Sequence, residues 1–270
     1  RELETARRYG KAMHEAGLKM GTYLTTFRVV GDRWDKAPYR FTTGYNREED
    51  SLRSIDFISL YDQSRQDHVV ELLKRFQDDA TVDYIGMDYV RTGTGGYEMV
   101  DEFVEEMDEP TPPEYKGWTA EERALWLARR VEKEKRVNTV RRFEWWRARK
   151  VALTLKSMFE RAKVTKPVFT YTLGWEMGHQ HGQDPAMYVD AGVGINNIML
   201  YQRGPEQVRE MKQHWPPYLA RGNGMYVMGE MVDFNWVQRS IDPSAPEELY
   251  NRMVETFSNW FPQNVSLGMY

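Results

Sequence analysis

The sequence predicts an α/β fold: a (β/α)8 TIM barrel, incomplete in this chain, with about six strands visible and the first two missing. Three observations predict it. Helical and extended patterns alternate along the chain. The extended runs are apolar with weak alternation, as in parallel strands covered on both faces. A doubly wound sheet would carry G-x-G-x-x-G after its first strand, whereas "GTGG" at 93–96 lacks that spacing and follows a later one.

The elements follow in order. "ELETARRYGKAMHEAG" places Leu3, Ala6, Tyr9, Ala12, Met13 and Ala16 on one helical stripe, and Gly17 ends it. "LKMGTYLTTF" reads as the first strand. Residues 28–62 read as loop, with a short extended piece in "SIDFISLYD". "SRQDHVVELLKRFQDD" is a helix with Val69, Val70, Leu72, Leu73 and Phe76 on its apolar face, and Val82 to Val90 is the next strand. Residues 92–118 read as an acidic, Pro-ended insertion able to reshape a cleft or form a lid. Thr119 with Glu122 has capping-box spacing, opening a helical stretch to about Ala162 that breaks near Val137–Asn138. "KPVFTYTLGW", "GINNIMLYQ", "NGMYVMGEM" and "NVSLGMY" are strands; "DPAMYVDAG", "GPEQVREMKQHWPPYLARG" and "SAPEELYNRMVETFSNWF" are helices. A length of 270 residues suits one barrel domain over 1–270.

Composition narrows the function. Hydrophobic content of 41% is enough for a core, and a net charge of −4 offers no footprint for nucleic acid. No stretch approaches the ~18 apolar residues of a membrane span. With no cysteine, disulfides and thiolate metal sites are excluded, and no motif implies a cofactor. The chain opens at Arg1 without Met, which reads as a mature or excised segment. The 9 Trp, 16 Tyr and 11 Phe serve either packing or a cleft whose rings face sugar C–H groups.

Barrel chemistry sits at the C-terminal ends of strands. The strand ends here carry Asp88 with Tyr89 and Arg91, Trp175 with Glu176, Tyr201 with Gln202 and Arg203, and Glu230 with Asp233 beyond it. Asp is a poor strand former, and a carboxylate near a barrel interior is either paired or used. Asp88, Glu176 and Glu230 are therefore the candidate catalytic acids. Tyr23, Tyr89, Arg91, Trp175, His179, Tyr201, Gln202 and Trp236 are the candidate sugar-binding residues. Two carboxylates across a cleft suffice for glycoside hydrolysis. Arg91 beside Asp88 favours a nucleophile or base there, while Trp175 and Met177 flanking Glu176 favour an acid. His179 and His181 in "GHQHGQD" have the spacing of a weak metal motif, so a metal-dependent barrel hydrolase is an alternative.

The segment "HVVELLKRFQDDATVDYIGMDYVR" resembles the bacterial glycoside-hydrolase-like barrels, the "hypothetical glycosyl hydrolase" group, whose strand has the form V-D-G-I-h-h-D-Y-I-R. Val82, Asp83, Ile85, Asp88, Tyr89, Val90 and Arg91 match, with Tyr84 and Gly86 departing. "ARRYGKAMHEAGLKMGTYL", "FEWWRARKVALTLKSMFERAK" and "AGVGINNIMLYQ" resemble further units in the same order. The similarity spans roughly residues 6–205 and departs at Gly194–Ile195, where the family has an Asp. It implies a (β/α)8 barrel acting on polysaccharide, secreted or in the bacterial cell envelope, with two strands before residue 1 and Asp88 as the strand-four acid. The expected function is a glycoside hydrolase with a carbohydrate substrate. The alternative from another class is a non-catalytic carbohydrate-binding or cell-envelope barrel module.

Overall fold

A computed structural model describes residues 2–32 and 34–199, strand positions 225–229 and 266–269, and a few isolated helical positions between 213 and 254. The strands are β1 (Leu24–Thr25), β2 (Phe41–Asn46), β3 (Ser51–Ile58), β4 (Ile85–Asp88), β5 (Val168–Leu173), β6 (Ile195–Met199), β7 (Met225–Gly229) and β8 (Ser266–Met269). The helices are α1 (Glu2–Glu15), α2 (Gln63–Asp78), α3 (Val100–Met107), α4 (Ala120–Ala128), α5 (Val137–Ala162) and α6 (Pro185–Asp190). The two helices expected between 204 and 261 lie outside the described residues.

Six strands form one parallel sheet in the order β1-β4-β5-β6-β7-β8. Every neighbour is the next sheet strand along the chain. A doubly wound sheet reverses direction at a switch point, and this order has none. Among the described residues the sheet is open, with β1 and β8 at its edges.

Local chemistry sets the helix ends. Asp62 accepts from the Arg65 backbone N–H at 2.8 Å and starts α2. Thr119 and Glu122 form the expected capping box of α4. A π-helical turn, Arg129–Lys133, follows α4, and α5 begins at Val137. Asp184 caps α6, accepting from Ala186 and Met187.

Two stretches differ from the sequence reading. Residues 41–58 are an antiparallel hairpin, β2–β3, rather than loop. Its turn is clamped where Asp50 accepts from Tyr45 Oη at 2.6 Å, Arg129 Nε at 2.9 Å and Lys133 Nζ at 2.8 Å. Its root is held by the largely buried Glu98, which accepts from Thr43 N at 2.9 Å and Ser59 Oγ at 2.7 Å. The stretch 92–118, read as an insertion, holds α3 and two short 3-10 turns, and buries Tyr97, Met99, Val100, Phe103 and Tyr115 in the core. Tyr97, Phe103, Phe143 and Trp146 stack there with centroids 5.2–6.2 Å apart.

The period of two along a strand divides the sheet into faces. Ile85 and Met87 pair in register with Val168 and Thr170. Their face packs on Val69, Val70 and Leu73 of α2 and on Val151, Leu155 and Met158 of α5. Each such side chain contributes about 1.5–3 kcal/mol on burial. Gly86 pairs with Phe169 on the opposite, inner face, which puts Asp88 on that face too.

Gly86 has a steric reason. A Cβ built there would lie 2.1 Å from the Thr22 carbonyl oxygen and 2.2 Å from Phe169 Cζ. The Phe169 ring occupies the space that a side chain at 86 would need. We expect Gly86→Ala to destabilise by about 3 kcal/mol or more, because backbone on one side leaves no room to relax. Chemical denaturation measures it, and a loss below about 1 kcal/mol would refute the close approach.

Arg147, buried in the middle of α5, joins two rim loops. Its Nη1 donates to the Gly95 carbonyl, and its Nη2 donates to the carbonyls of Gln180 at 2.5 Å and His179 at 3.4 Å. Arg147→Met keeps the stem but strands these carbonyls. The expected loss is about 3 kcal/mol or more, since hydrogen bonds to a charged group contribute about 1.5–3 kcal/mol each. Urea unfolding of the variant checks it; an unchanged midpoint would rule the pin out.

Candidate functional site

Asp88 ends β4 on the inner face, and the chain leaves the strand abruptly after it. Tyr89 has φ +52°, a left-handed conformation that costs a non-glycine residue on the order of 1–3 kcal/mol. That turn brings the Tyr89 N–H onto Asp88 Oδ1 at 2.6 Å. Tyr23, beside β1, donates its hydroxyl to Asp88 Oδ2. The Asp88 backbone carbonyl accepts from Thr26 N at 2.8 Å. The carboxylate is thus fixed by one backbone and one phenolic donor and is 9% exposed. Burial, then Asp88 as acceptor, push the Tyr23 hydroxyl well above the usual tyrosine range, so it stays a donor. Tyr23 is itself 58% exposed and packs against Tyr171 of β5 at 5.9 Å.

Arg28 and Arg91 both lie over the Tyr89 ring, at 4.8 and 4.9 Å from its centroid, and over Phe57 at 5.4 and 5.7 Å. Arg28 is also paired with Asp56, Nε to Oδ2 at 2.7 Å. Arg91 is different. The sequence reading made it the partner of Asp88, but the two form no ion pair within 4.0 Å and Asp88 acts on it only through space. Both Asp88 oxygens are taken by the donors named above. Arg91 Nη1 instead reaches Gln183 Oε1 at 3.5 Å, and burial lowers its pKa.

Gln183 ties this corner to β5. It accepts from Leu173 N at 3.1 Å and donates to the Tyr171 carbonyl at 2.8 Å. The helical turn Trp175–His181 follows β5 and brings His181 to the same place. Burial, then the cations of Arg91 and Arg147, lower the His181 pKa to about 3. Its imidazole is therefore neutral over the physiological range.

The hairpin stands against these groups and closes one side of a cleft of about 360 Å3. Arg53, Ile55, Asp56 and Phe57 of β3 form one wall; Arg91, Gly93, Thr94, Leu173 and His181 form the other, with Arg28 alongside. Asp88 adjoins this corner through Tyr89 but does not line the cleft.

Of the residues picked from the sequence, Asp88, Tyr89, Arg91 and Tyr23 come together at the end of β4. His179 Nε2 meets Asp184 Oδ2 at 2.8 Å, which ties it to the cap of α6. Trp175 and Glu176 lie in the turn after β5, and their side chains are outside the described residues. Tyr201, Gln202, Glu230 and Trp236 also lie outside them; Glu230 directly follows β7. Among the described residues no group of three His, Asp or Glu could hold a metal ion, so His179 and His181 do not form such a site with them. No helix among those residues is long and apolar enough to cross a membrane.

The sequence reading missed Arg28, Arg53, Asp56, Gln183 and Arg147. The hairpin that supplies Arg53 and Asp56 had a signal: Thr42, Thr43 and Tyr45 before the polar turn, then Leu52, Ile55, Phe57 and Ile58 after it. Arg147 had none, since an arginine in a long basic helix reads as solvated.

His181 makes the rim pH-sensitive. Its folded pKa lies below the unfolded value of about 6.5, so the unfolded chain takes up the proton first and stability falls as pH drops below about 6.5. The depressed carboxylates of Asp79 and Asp83 act only below about pH 4. Between about pH 6.5 and 4.5, denaturation midpoints should fall, and His181→Gln should flatten that slope. An unchanged slope would assign it elsewhere.

The fold is similar to that of the PgaB (BpsB) glycoside hydrolase domain from Bordetella bronchiseptica. The match has a TM-score of 0.58 at 12% sequence identity and covers 94% of this chain and 71% of that one. No protein-family model matches the sequence, and no curated protein matches it significantly. At this identity the likeness is one of fold.

Proposed function

We propose that the chain is a single carbohydrate-active (β/α) barrel domain that hydrolyses a glycosidic bond at the C-terminal rim of its sheet. The observation that carries the reading is Asp88: a carboxylate at the end of β4, on the inner face, oriented by Tyr23 and the Tyr89 N–H. The likeness to a glycoside hydrolase domain supports it. Exposed Tyr23 and the neighbouring Tyr171 offer aromatic faces beside Asp88. A location outside the cytoplasm or in the cell envelope goes with a polysaccharide substrate.

Hydrolysis needs a second carboxylate. Glu176 follows β5, the neighbour of β4, and Glu230 follows β7. We assign Glu176 as the first candidate, because it leaves the adjacent strand. In this scheme Asp88 attacks the anomeric carbon or activates water, and Glu176 protonates the leaving oxygen. A separation of about 5–5.5 Å would give retention and about 6.5–9.5 Å inversion.

A second reading is favoured by one observation. Both Asp88 oxygens already have internal donors, and Asp88 does not line the cleft. A barrel that binds sugar without cleaving it would look the same. Asp88→Asn separates the two. For a hydrolase, turnover of a responsive oligosaccharide should fall about 10²–10⁴-fold in Asp88→Asn and in Glu176→Gln, with binding retained. Full turnover in both would remove the acid pair, and binding without turnover in the unaltered protein would select the second reading.

A further inference from the structure

The cleft beside Asp88 is unbalanced in charge. Its lining holds Arg28, Arg53 and Arg91 against one carboxylate, Asp56. Asp56 is consumed by Arg28, Nη2 to Oδ2 at 2.6 Å. Arg53 is exposed on β3 with its stem along the cleft. His181 in the opposite wall brings no compensating negative charge.

Arg91 is the telling member. It is 8% exposed, and its Nε has no hydrogen-bond partner. Its polar contact is with neutral Gln183, and its guanidinium otherwise lies over Tyr89 and Phe57. Keeping a guanidinium buried without a contacting carboxylate is costly, and removing its unmet donors from water adds to the cost. An oxyanion that presents two oxygens side by side, as a carboxylate or a sulfate ester does, matches the fork of donors and would offset both. Neutral hydroxyls do not call for such a lining.

Resting on the carbohydrate reading, we propose that this cleft holds the negatively charged substituent of an acidic sugar, a carboxylate or sulfate ester. Arg91 forms the floor of the subsite and Arg53 its solvent-facing rim. Arg28, committed to Asp56, holds Tyr89 and the Phe57 wall in place. The substrate class is then an anionic glycan, with the acidic unit bound beside the bond presented to Asp88.

Calorimetric titration of the full chain tests it with a matched pair, oligogalacturonate and its fully methyl-esterified form, and with sodium sulfate as a bare anion. The acid should bind about tenfold tighter than the ester or better at low salt, and the gap should close near 0.5 M salt. Arg91→Gln should bring the acid's affinity down to that of the ester. Arg53→Gln, at an exposed position on β3, should lower it about two- to fivefold. It decides the matter if Arg91→Gln does not fold. Equal binding of acid and ester, or tighter binding of the ester, overturns the subsite and leaves the carbohydrate reading standing. Arg53-dependent sulfate binding with neither glycan bound keeps the subsite and removes the carbohydrate reading. Binding of none of the three probes overturns the proposal.

Discussion

One guanidinium governs the geometry of the rim. Arg147 leaves the middle of α5, crosses the core, and ends on three carbonyls from two loops distant in sequence. One of those loops carries Gly93 and Thr94 of the cleft; the other carries His181 and leads into Gln183. Gln183 then meets Arg91. The positions of the cleft groups thus trace back to a helix side chain whose hydrogen bonds go to Gly95, His179 and Gln180 rather than to Asp88. Arg147 also lies over the Phe143 ring, but its hydrogen-bond acceptors are backbone carbonyls of both loops, so a shift of either loop leaves part of a buried cation unmet.

The sheet was legible because its strands are short apolar runs between glycine, proline and charge. All six sheet strands lie where the sequence placed them, within trimmed ends, and the break before α5 and the capping box at Thr119 lie there too. The hairpin was not legible in the same way. Charged Arg53 and Asp56 interrupt its alternation, and both line the cleft. A segment whose residues serve a site reads poorly as structure. The stretch 92–118 misled for a related reason: Asp101, Glu105, Glu106 and Asp108 lie on the outer side of elements whose inner side is Val100, Phe103 and Tyr115, while the largely buried Glu98 and the buried Glu109 are hydrogen-bonded. Of the candidate site, the residues around β4 came together as the strand-end rule implies. The link between Asp88 and Arg91 did not, because adjacency in sequence says nothing about direction once Tyr89 turns the chain through a positive φ.

That turn separates two chemical environments within four residues. Asp88 points to the inner face, toward Tyr23 and Tyr171. Arg91 points into the corner under the hairpin, against Tyr89 and Phe57. Tyr89 is the hinge of the pair: its backbone N–H holds the acid, and its ring carries the base. A carboxylate and a guanidinium in direct contact would neutralise each other. Held apart, Asp88 keeps its Tyr23 and Tyr89 donors while Arg91 faces the cleft.

The hairpin adds no strand to the parallel sheet; it pairs only with itself and through a single bridge between Arg28 and Phe57. Its fastenings are the Asp50 turn, the Glu98 root, the Arg28–Asp56 pair, backbone hydrogen bonds to Phe27, Val29 and Gly96, and Tyr45 in the core. The register of β1 on β4 is set within the sheet, where Leu24 pairs with Met87 and Thr25 with Asp88. Residues along β3 can be exchanged without re-pairing β1 with β4, so under the proposed reading the wall that would select a ligand can diverge while the strand that bears Asp88 stays fixed. On that reading selectivity and chemistry are encoded in separable parts of this chain.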